Sequence, residues 1–328
     1  MRAPDCCLGL DAGGTNLRAG IFDAQGELLW QSRRQADFSG ICRRELPDVA
    51  LHQVLDILES VIRDACARFP QVASAGIGFP GFIDPTTGVL ISSPNLPGLS
   101  QVDLPTLLQA RVPLSVFLDN DAQAAAYGEY CRQPTASGAL LYVGLGTGVG
   151  GGLVLEGKPY GGVHGMALEL GHLIIDPGGR ACGCGNQGCL EQYASATGLV
   201  RNYQALAQRV ATAQEIAGLA AAGEEPAREA LRQSAEALAQ ALAHVMKILD
   251  VADVVVGGGL SSAWPLLQPF FDPALDRALI PVLRGKIHVR ASTAQDEAGM
   301  LGAARLAAAR TGARRRASSA TPAQTGQP

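Results

Sequence analysis

The sequence predicts an α/β protein built from two domains. The chain has 328 residues, and a single hydrophobic core rarely grows beyond about 250–300 residues. Short apolar runs that end in glycine turns alternate with stretches of helical periodicity. A unit of apolar strand and glycine turn occurs twice, as GLDAGGT (9–15) and GLGTGVG (144–150). We interpret the pair as an internal duplication, one copy per domain; the alternative is that two hairpins are alike by chance.

The first half of the chain carries alternating strand and helix signals. CCLGL and LRAGIF are short apolar runs on either side of DAGGTN, which is typical of a strand–turn–strand unit. The segment LHQVLDILESVIRDACARF has its apolar residues at helical spacing, so it predicts a helix with one buried face. PLSVFLDN predicts a strand that leads directly into the helix DAQAAAYGEYC.

The second half repeats this alternation and suggests the domain limits. ALLYVGL predicts a strand before the GTGVGGG turn, REALRQSAEALAQALAHVMKILD a long helix, and ADVVVGGGL a strand and turn. We predict an N-terminal α/β domain over 1–121 and a C-terminal α/β domain over 122–296. A final helix over about 297–310 is expected to pack back on the first domain. Residues 311–328 show no apolar period and are predicted to be disordered.

Bulk composition excludes several classes of partner. The net charge is −4 and charged residues make up 17 % of the chain, so we expect no nucleic acid and no anionic membrane as partner. No apolar run is long enough to span a bilayer. The segment MRAPDCCLGL does not resemble a secretory signal. We therefore expect a cytoplasmic protein, in which thiols stay reduced.

The segment GGRACGCGNQGCLE crowds three of the eight cysteines into a glycine-rich loop. With His172 upstream, Cys182, Cys184 and Cys189 supply three thiolates and one imidazole, a set suited to tetrahedral zinc. Four protein ligands leave no position for an activated water, so the zinc is expected to be structural. The alternatives are a chance cluster of free cysteines and a zinc-dependent hydrolase or dehydrogenase, which would need an open metal position.

Two carboxylates flank this loop. Glu169 lies three residues before His172, and Glu191 lies two residues after Cys189. Carboxylates on a rigid loop can accept hydrogen bonds from adjacent sugar hydroxyls, whereas a lone glutamate is usually a solvated surface charge. Their position on both sides of the cysteine loop favours the functional interpretation.

Three glycine turns, DAGGT, GTG and GGGL, each follow a predicted strand. Glycine lets a phosphate approach the backbone amides closely, although each turn alone is also typical of a tight hairpin. Together they predict a site for the triphosphate of a nucleotide. Asp11 would hold Mg²⁺ through water, and the hydroxyls of Thr15 and Thr147 would meet phosphate oxygens.

The segment FLDNDAQAAAYGE places Asp119, Asn120 and Asp121 at a strand-to-helix junction. In phosphoryl transfer, a carboxylate that takes the proton of the acceptor hydroxyl is the usual protein contribution beyond positioning. One of these residues could instead be a helix N-cap. The pattern does not distinguish Asp119 from Asp121 as the base.

Taken in order, these motifs resemble the ROK family of sugar kinases over about residues 7–310. The motifs are LGLDAGGTNLRAGI, GIGFPGFID, SPNLPG, LDNDAQAAAYGE, GLGTGVGGG, ELGH, CGCGNQGCLE and VVVGGGL. The resemblance implies an actin-like, hexokinase-like (ribonuclease H-like) two-domain fold with a central cleft. It also implies a homodimer that binds a hexose and ATP, with catalytic Mg²⁺ and structural Zn²⁺.

The resemblance further implies roles for single residues. Asp121 would be the general base. The residues implied as sugar contacts are Asn95, Asn120, Glu169, His172 and Glu191, and His172 would also bind zinc. The residues implied on the phosphate and magnesium side are Asp11, Gly13, Gly14, Thr15, Thr147 and Gly148. Gly258 and Gly259 would form part of the adenosine pocket.

One position departs from the family pattern, which usually has glycine before the glutamate of E-x-G-H. Here Leu168 stands at that place, and a bulky side chain there could reshape the loop near the sugar's first carbons. We expect glucose to be converted to glucose 6-phosphate, with an N-acetylglucosamine or N-acetylmannosamine kinase as the alternative. Some members of the family are sugar-responsive transcriptional repressors with an added N-terminal helix-turn-helix, for which no room is expected before Asp11.

Overall fold

The computed structural model describes residues 6–294 and 297–320 of the chain. These residues form two compact units, the first with residues 6–132, 163–165 and 297–320 and the second with residues 133–162 and 166–294. Among the described residues, no helix combines the length and the apolar character needed to cross a membrane.

The first unit is built around a five-stranded sheet, and it also contains a smaller three-stranded sheet. Its elements are β1 (Cys6–Ala12), β2 (Asn16–Phe22), β3 (Leu28–Gln35), α1 (Phe38–Arg44), α2 (Pro47–Arg68), β4 (Val72–Phe79), β5 (Phe82–Ile83), β6 (Leu90–Ser92), β7 (Ser100–Val102), α3 (Leu104–Gln109), β8 (Ser115–Asn120), α4 (Asp121–Arg132) and α10 (Glu297–Ala320).

The second unit is built around another five-stranded sheet. Its elements are β9 (Leu140–Leu145), β10 (Val149–Leu155), β11 (Lys158–Pro159), α5 (Glu191–Ala194), α6 (Ala196–Ala207), α7 (Ala213–Ala221), α8 (Glu225–Leu249), β12 (Asp253–Gly257), α9 (Trp264–Ala278) and β13 (His288–Ala291). Short 3-10 helices cover Leu170–His172, Gly259–Ala263 and Pro281–Leu283.

The two five-stranded sheets share one topology. The order is β3-β2-β1-β4-β8 in the first unit and β11-β10-β9-β12-β13 in the second. In each sheet the first three strands of the unit form an antiparallel meander, and two parallel strands continue from the first strand. This common order is what the predicted duplication of GLDAGGT and GLGTGVG requires, and each glycine turn joins the first two strands of its sheet.

The predicted amphipathic helices are present, and each buries one face. α2 buries residues at the predicted three- and four-residue spacing, from Ala50 to Ala65. α8 buries a longer stripe from Ala227 to Met246, which lies in the core of the second unit. Burying apolar area is the dominant favourable contribution to folding, at about 25 cal/mol per Å². The periodic apolar positions therefore determine which face of each helix meets its sheet.

Helix α4 belongs to the first unit, whereas the sequence-based boundary placed it in the second domain. It packs against α10 at a close crossing that two glycines permit. A Cβ added at Gly302 would lie 1.8 Å from the Ala124 carbonyl oxygen, and one added at Gly128 would lie 1.9 Å from that of Ala298. The tertiary contact with α10, which is distant in sequence, thus fixes α4 in the first unit.

Helix α10 also extends further than the sequence suggested. Residues 311–320, which were expected to be disordered, continue the helix to Ala320. This segment is rich in alanine and arginine, which are among the strongest helix formers, so it continues the helix without an apolar period. The remainder of that prediction, residues 321–328, lies outside the described residues.

The close crossing of α4 and α10 predicts that two glycine-to-alanine substitutions change the free energy of unfolding in opposite directions. Gly302→Ala should lower the free energy of unfolding by about 3 kcal/mol, because the methyl group overlaps the backbone of α4. Gly218→Ala is the matched control, since a Cβ at this helical glycine meets no atom within 4 Å. It should raise the free energy by about 0.5–1 kcal/mol. Urea unfolding of both variants measures the difference, and equal effects would contradict the close crossing.

Candidate active site and metal centre

The structure brings the four predicted metal ligands together. One donor atom from each of His172, Cys182, Cys184 and Cys189 lies within 4.8 Å of all the others. The Sγ atoms of Cys184 and Cys189 are 3.6 Å apart, and Cys182 Sγ lies 3.7 Å from His172 Nδ1. Ligand sulfurs around tetrahedral zinc stand about 3.8 Å apart when the Zn–S distance is about 2.3 Å. The donor set and its spacing therefore fit a zinc ion with a closed coordination shell.

The electrostatics of this cluster also fit a cation. Burial, and after it the neighbouring thiols, raises the pKa of Cys189 to about 12. A thiolate at that position therefore needs a positive charge to balance it. Gln192 Nε2 lies 3.4 Å from Cys182 Sγ and donates a hydrogen bond to it. Gln192 thus helps to hold the Cys182 side chain in position, although it is not itself one of the four candidate ligands.

The segment that carries His172 is held against strand β10 by two glycines. A Cβ at Gly151 would lie 2.3 Å from the Leu168 carbonyl oxygen, and a Cβ at Gly171 would lie 2.3 Å from that of Val149. Leu168 adopts a φ of 68°, in the left-handed region that favours glycine. The departure from the family pattern therefore falls on a residue whose backbone conformation suits glycine better, directly before Glu169.

Glu169 and Glu191 face the same region of the second unit. Burial raises the pKa of Glu169; the nearby His172 acts against this rise, and the Glu191 carboxylate adds to it. Glu169 Oε2 lies 3.8 Å from His172 Nε2, the ring nitrogen that does not face Cys182. Two carboxylates and one imidazole nitrogen thus converge beside the cysteine cluster, a set that can hydrogen-bond several hydroxyl groups of one ligand.

Glu191 also connects the cysteine loop to the glycine turn between β9 and β10. Its Oε2 accepts a hydrogen bond from Val149 N at 3.1 Å. A Cβ at Gly148 would lie 2.2 Å from the same oxygen, so the glycine makes room for this contact. The turn is further held by Thr197 Oγ1, which donates to the Thr147 carbonyl at 2.9 Å. The side chain of Thr147 is exposed beside these contacts.

In the first unit, Asp11 lies at the end of β1, beside the equivalent glycine turn. Arg18 Nη1 donates to Asp11 Oδ2 at 3.0 Å across the β1–β2 hairpin, where the two residues are register partners. Gly299, in the first turn of α10, leaves space for the Asp11 carboxyl, since a Cβ there would lie 3.0 Å from Asp11 Cγ. Gly13 and Gly14 form the turn, and Thr15 after them is exposed.

The structure separates the two aspartates that the sequence could not distinguish. Asp119 receives two hydrogen bonds from Arg310 on α10, at 2.8 and 2.7 Å. Burial raises the pKa of Asp119, and Arg310 acts against that rise. Asp121 begins helix α4, where the positive end of the helix dipole favours a carboxylate. The paired Asp119 is thus a structural group, which leaves Asp121 as the candidate base.

The other predicted contacts have distinct local roles. Asn120 Oδ1 accepts from Gln123 N at the start of α4, and its Nδ2 donates to the Gly81 carbonyl. Asn95 is exposed in the loop between β6 and β7. Gly258 has a φ of 79°, and a Cβ there would lie 2.5 Å from the Leu145 carbonyl oxygen, whereas a Cβ at Gly259 would meet nothing within 4 Å.

Three supporting residues were missed by the sequence reasoning: Arg18, Gln192 and Arg310. Arg18 could have been found, because Asp11 and Arg18 stand symmetrically about a hairpin turn and so become cross-strand partners. Gln192 directly follows Glu191, but no pattern marks it as a donor to Cys182. Arg310 pairs with a residue 191 positions away, and a single sequence gives no signal for such a contact.

Comparison with known proteins agrees with this description. The profile of the ROK family matches residues 7–310. An N-acetyl-D-glucosamine kinase of Escherichia coli is 34% identical over 313 residues, which cover 91% of this chain and 98% of that protein. A ROK family glucokinase from Streptomyces griseus, solved with glucose and AMPPNP, is 29% identical with a TM-score of 0.80, covering 93% of this chain and 99% of that one. The ROK hexokinase from Thermus thermophilus is 31% identical with a TM-score of 0.76, covering 94% and 99%.

The fold and the site together define a class. Two α/β units whose sheets share one strand order, together with the similarity to these solved kinases, make this an actin-like, hexokinase-like protein. The chain belongs to the ROK family, and it is an ATP-dependent sugar kinase of that family.

The cysteine cluster predicts loss of metal from a single-atom change. Cys184→Ser should lower zinc affinity by at least about 100-fold, because the hydroxyl replaces one of the thiolate ligands. Cys66→Ser is the matched control, since Cys66 lies on α2, outside the cluster. Zinc per chain, measured by elemental analysis after dialysis against a chelator, checks both variants. Retention of one zinc per chain by Cys184→Ser would contradict the assignment.

The Asp119–Arg310 pair predicts a pH-dependent loss of stability. Arg310→Met should cost roughly 2 kcal/mol at neutral pH, since it leaves a mostly buried carboxylate without its cation. The pKa of Asp119 is already raised in the folded protein, and removing Arg310 raises it further. The loss of stability caused by Arg310→Met should therefore be large at neutral pH, where Asp119 is ionised. It should be smaller in acid, where Asp119 is protonated.

Urea unfolding in mildly acidic and in neutral buffer measures this change. The double variant Asp119→Asn/Arg310→Met is the control, because it removes the charge together with its partner and should lose much less stability at neutral pH. A deficit of Arg310→Met that is the same at both pH values would show that the ion pair is not its cause.

Proposed function

We propose that this kinase transfers the γ-phosphoryl group of ATP to the 6-hydroxyl of glucose, with Asp121 as the general base. The observation that carries the proposal is the convergence of Glu169, Glu191 and His172 beside the four-ligand cluster. Adjacent hydroxyl groups of a pyranose match such a set, because each hydroxyl can donate to a carboxylate. The S. griseus glucokinase with bound glucose supports the same choice of substrate.

In the proposed reaction the proton of the sugar hydroxyl passes to the Asp121 carboxylate as the oxygen attacks the γ-phosphorus. The bond from that phosphorus to the bridging oxygen breaks, and ADP leaves with the electron pair. Glu169, Glu191, His172, Asn95 and Asn120 would orient the sugar so that one hydroxyl is presented to the base.

The phosphate side of the proposal uses the two glycine turns. Thr15 and Thr147 would donate hydroxyl hydrogen bonds to phosphate oxygens, and the amides near Gly13, Gly14 and Gly148 would approach them closely. Asp11 would hold Mg²⁺ through water, and this ion would supply neutralisation of phosphate charge. Arg18 keeps the Asp11 carboxylate oriented.

The proposed zinc ion has a purely structural role. Its four ligands are all protein side chains, so it would supply rigidity rather than an activated water. That rigidity fixes His172 directly and Glu191 through the short link from Cys189. The adenosine contacts proposed for Gly258 and Gly259 rest on the family resemblance.

N-Acetylglucosamine is a second candidate acceptor, because a relative at 34% identity is an N-acetyl-D-glucosamine kinase. The two sugars differ at carbon 2, and Leu168, with its glycine-like backbone, lies beside Glu169.

Replacement of Asp121 tests the base. Asp121→Asn should lower kcat by at least about 100-fold with little change in sugar affinity, because the amide keeps the shape but cannot take a proton. Asp103→Asn is the matched control: Asp103 caps α3, and asparagine caps equally well. A coupled assay of ADP release gives kcat, and calorimetry gives the sugar affinity. Near-normal turnover by Asp121→Asn would refute the assignment.

A substrate panel tests the sugar. We expect the highest kcat/KM with glucose among glucose, mannose, fructose, N-acetylglucosamine and N-acetylmannosamine. A higher kcat/KM with N-acetylglucosamine than with glucose would make N-acetylglucosamine the proposed substrate. A kcat/KM for N-acetylmannosamine above those of glucose and N-acetylglucosamine would exclude both of these sugars as the preferred substrate.

A further inference from the structure

A positively charged depression lies on the second unit, where the cysteine loop meets helix α6. Its volume is about 400 Å³, and its lining residues are Arg180, Arg201, Gln204, Ala205 and Gln208. Arg180 belongs to the cysteine loop. The other four residues are on α6 or directly after it, at three- and four-residue spacing, so they share one face of the helix. None of the five is a residue to which the proposed reaction assigns a role.

Both guanidinium groups of this depression bind neutral acceptors. Arg180 Nη1 donates to the Gln192 carbonyl and to Asn202 Oδ1, each at 2.7 Å, and its guanidinium stacks on the Tyr193 ring at 4.6 Å. Arg201 Nη1 donates to Gln192 Oε1. Only Nη1 of each group donates to a protein acceptor within residues 6–294 and 297–320, so Nε and Nη2 remain as donors for a ligand.

The arginines of the depression, Arg180 and Arg201, lack a carboxylate at ion-pair distance within the part of the chain that the structure describes. Asp176, whose charge acts on Arg180, is itself bonded to the Tyr193 hydroxyl at 2.6 Å. An anion bound between the two arginines would balance their positive charge.

We propose that this depression binds a phosphate group, carried by a small phosphomonoester or by inorganic phosphate. Guanidinium groups bind phosphate through parallel N–H donors, and two of them can hold one phosphate from two sides. The Gln204 side chain adds an amide donor at the same face. A depression of this size accommodates a phosphorylated metabolite rather than an extended macromolecular surface.

Gln192 links both arginines of the depression to the metal cluster. Both arginines bind this glutamine, and its Nε2 donates to Cys182 Sγ at 3.4 Å. Gln192 also directly follows Glu191, which holds the glycine turn at Val149. A phosphate that draws Arg201 towards itself therefore changes the support of Cys182. We infer that phosphate binding alters the retention of the metal and, if the proposed function holds, sugar affinity by reciprocal coupling.

Binding of phosphate to the zinc-loaded protein without nucleotide tests the site. Inorganic phosphate and glucose 6-phosphate are titrated separately by calorimetry at constant ionic strength. We expect Arg201→Gln to weaken binding at least about tenfold, because one of the two guanidinium groups is lost. Arg277→Gln is the matched control, an exposed arginine on α9 outside the depression, and it should bind as the unchanged protein does.

Three results would overturn the proposal: no binding of either probe at millimolar concentration, equal binding by Arg201→Gln, or equal loss in Arg277→Gln. Tighter binding of glucose 6-phosphate that Arg201→Gln also weakens identifies a phosphomonoester as the ligand, whereas an equal Arg201-dependent affinity for both probes identifies the phosphate group alone. Because no nucleotide is present, failure of Asp121 as base would leave these results unchanged.

The inferred effect of phosphate on metal retention is tested separately, by measuring the rate at which zinc is transferred from the protein to a chromophoric chelator. Phosphate should change this rate at least about twofold in the unchanged protein and not in Arg201→Gln, since only the former links the anion to Cys182. If phosphate binds but leaves the rate unchanged, the depression is a binding site without the inferred connection, and that part is wrong.

Discussion

In the second unit, one hydrogen bond, from Val149 N to the Glu191 carboxylate, joins the cysteine loop to the glycine turn between β9 and β10. The glutamate directly follows the cysteine loop, and the amide belongs to the strand after the glycine turn. Gly148 leaves the carboxylate free to take this position, since a Cβ there would overlap its Oε2. One charged group therefore joins the loop of the candidate metal ligands to a hairpin, so the positions of these two elements are coupled.

His172 likewise contacts two parts of the site, and the segment before it is held by several contacts. One ring nitrogen faces the thiols, and the other lies near Glu169. The backbone of the segment approaches β10 at Gly151 and Gly171, so its position is fixed by main-chain packing as well as by the metal ligands. Leu168 occupies a left-handed conformation within this packed segment. Such strain costs of order 1 kcal/mol and persists only where the surroundings determine the backbone.

How much the sequence could predict follows from how local each signal is. The four metal ligands lie within one short segment, so their spacing alone indicated a cluster, and the repeated glycine turns indicated two related sheets. The choice between Asp119 and Asp121 depended on Arg310, which is far away in the chain. The assignment of α4 likewise depended on glycines that face a distant helix. Contacts of this kind leave no periodic pattern, and a single sequence does not reveal them.

The membership of α10 in the first unit has a consequence for biosynthesis. Gly9 and Gly76, on β1 and β4, face the backbone of α10, so these strands lack their covering helix until residues 297–320 have left the ribosome. The residues of the second unit are all translated before that helix. The second core can therefore form before α10 covers its face of the first sheet. The main core of the first unit, formed by residues between Cys6 and Leu118, can form early, and the small cluster around Cys7, Phe22 and Met300 must wait for the last helix.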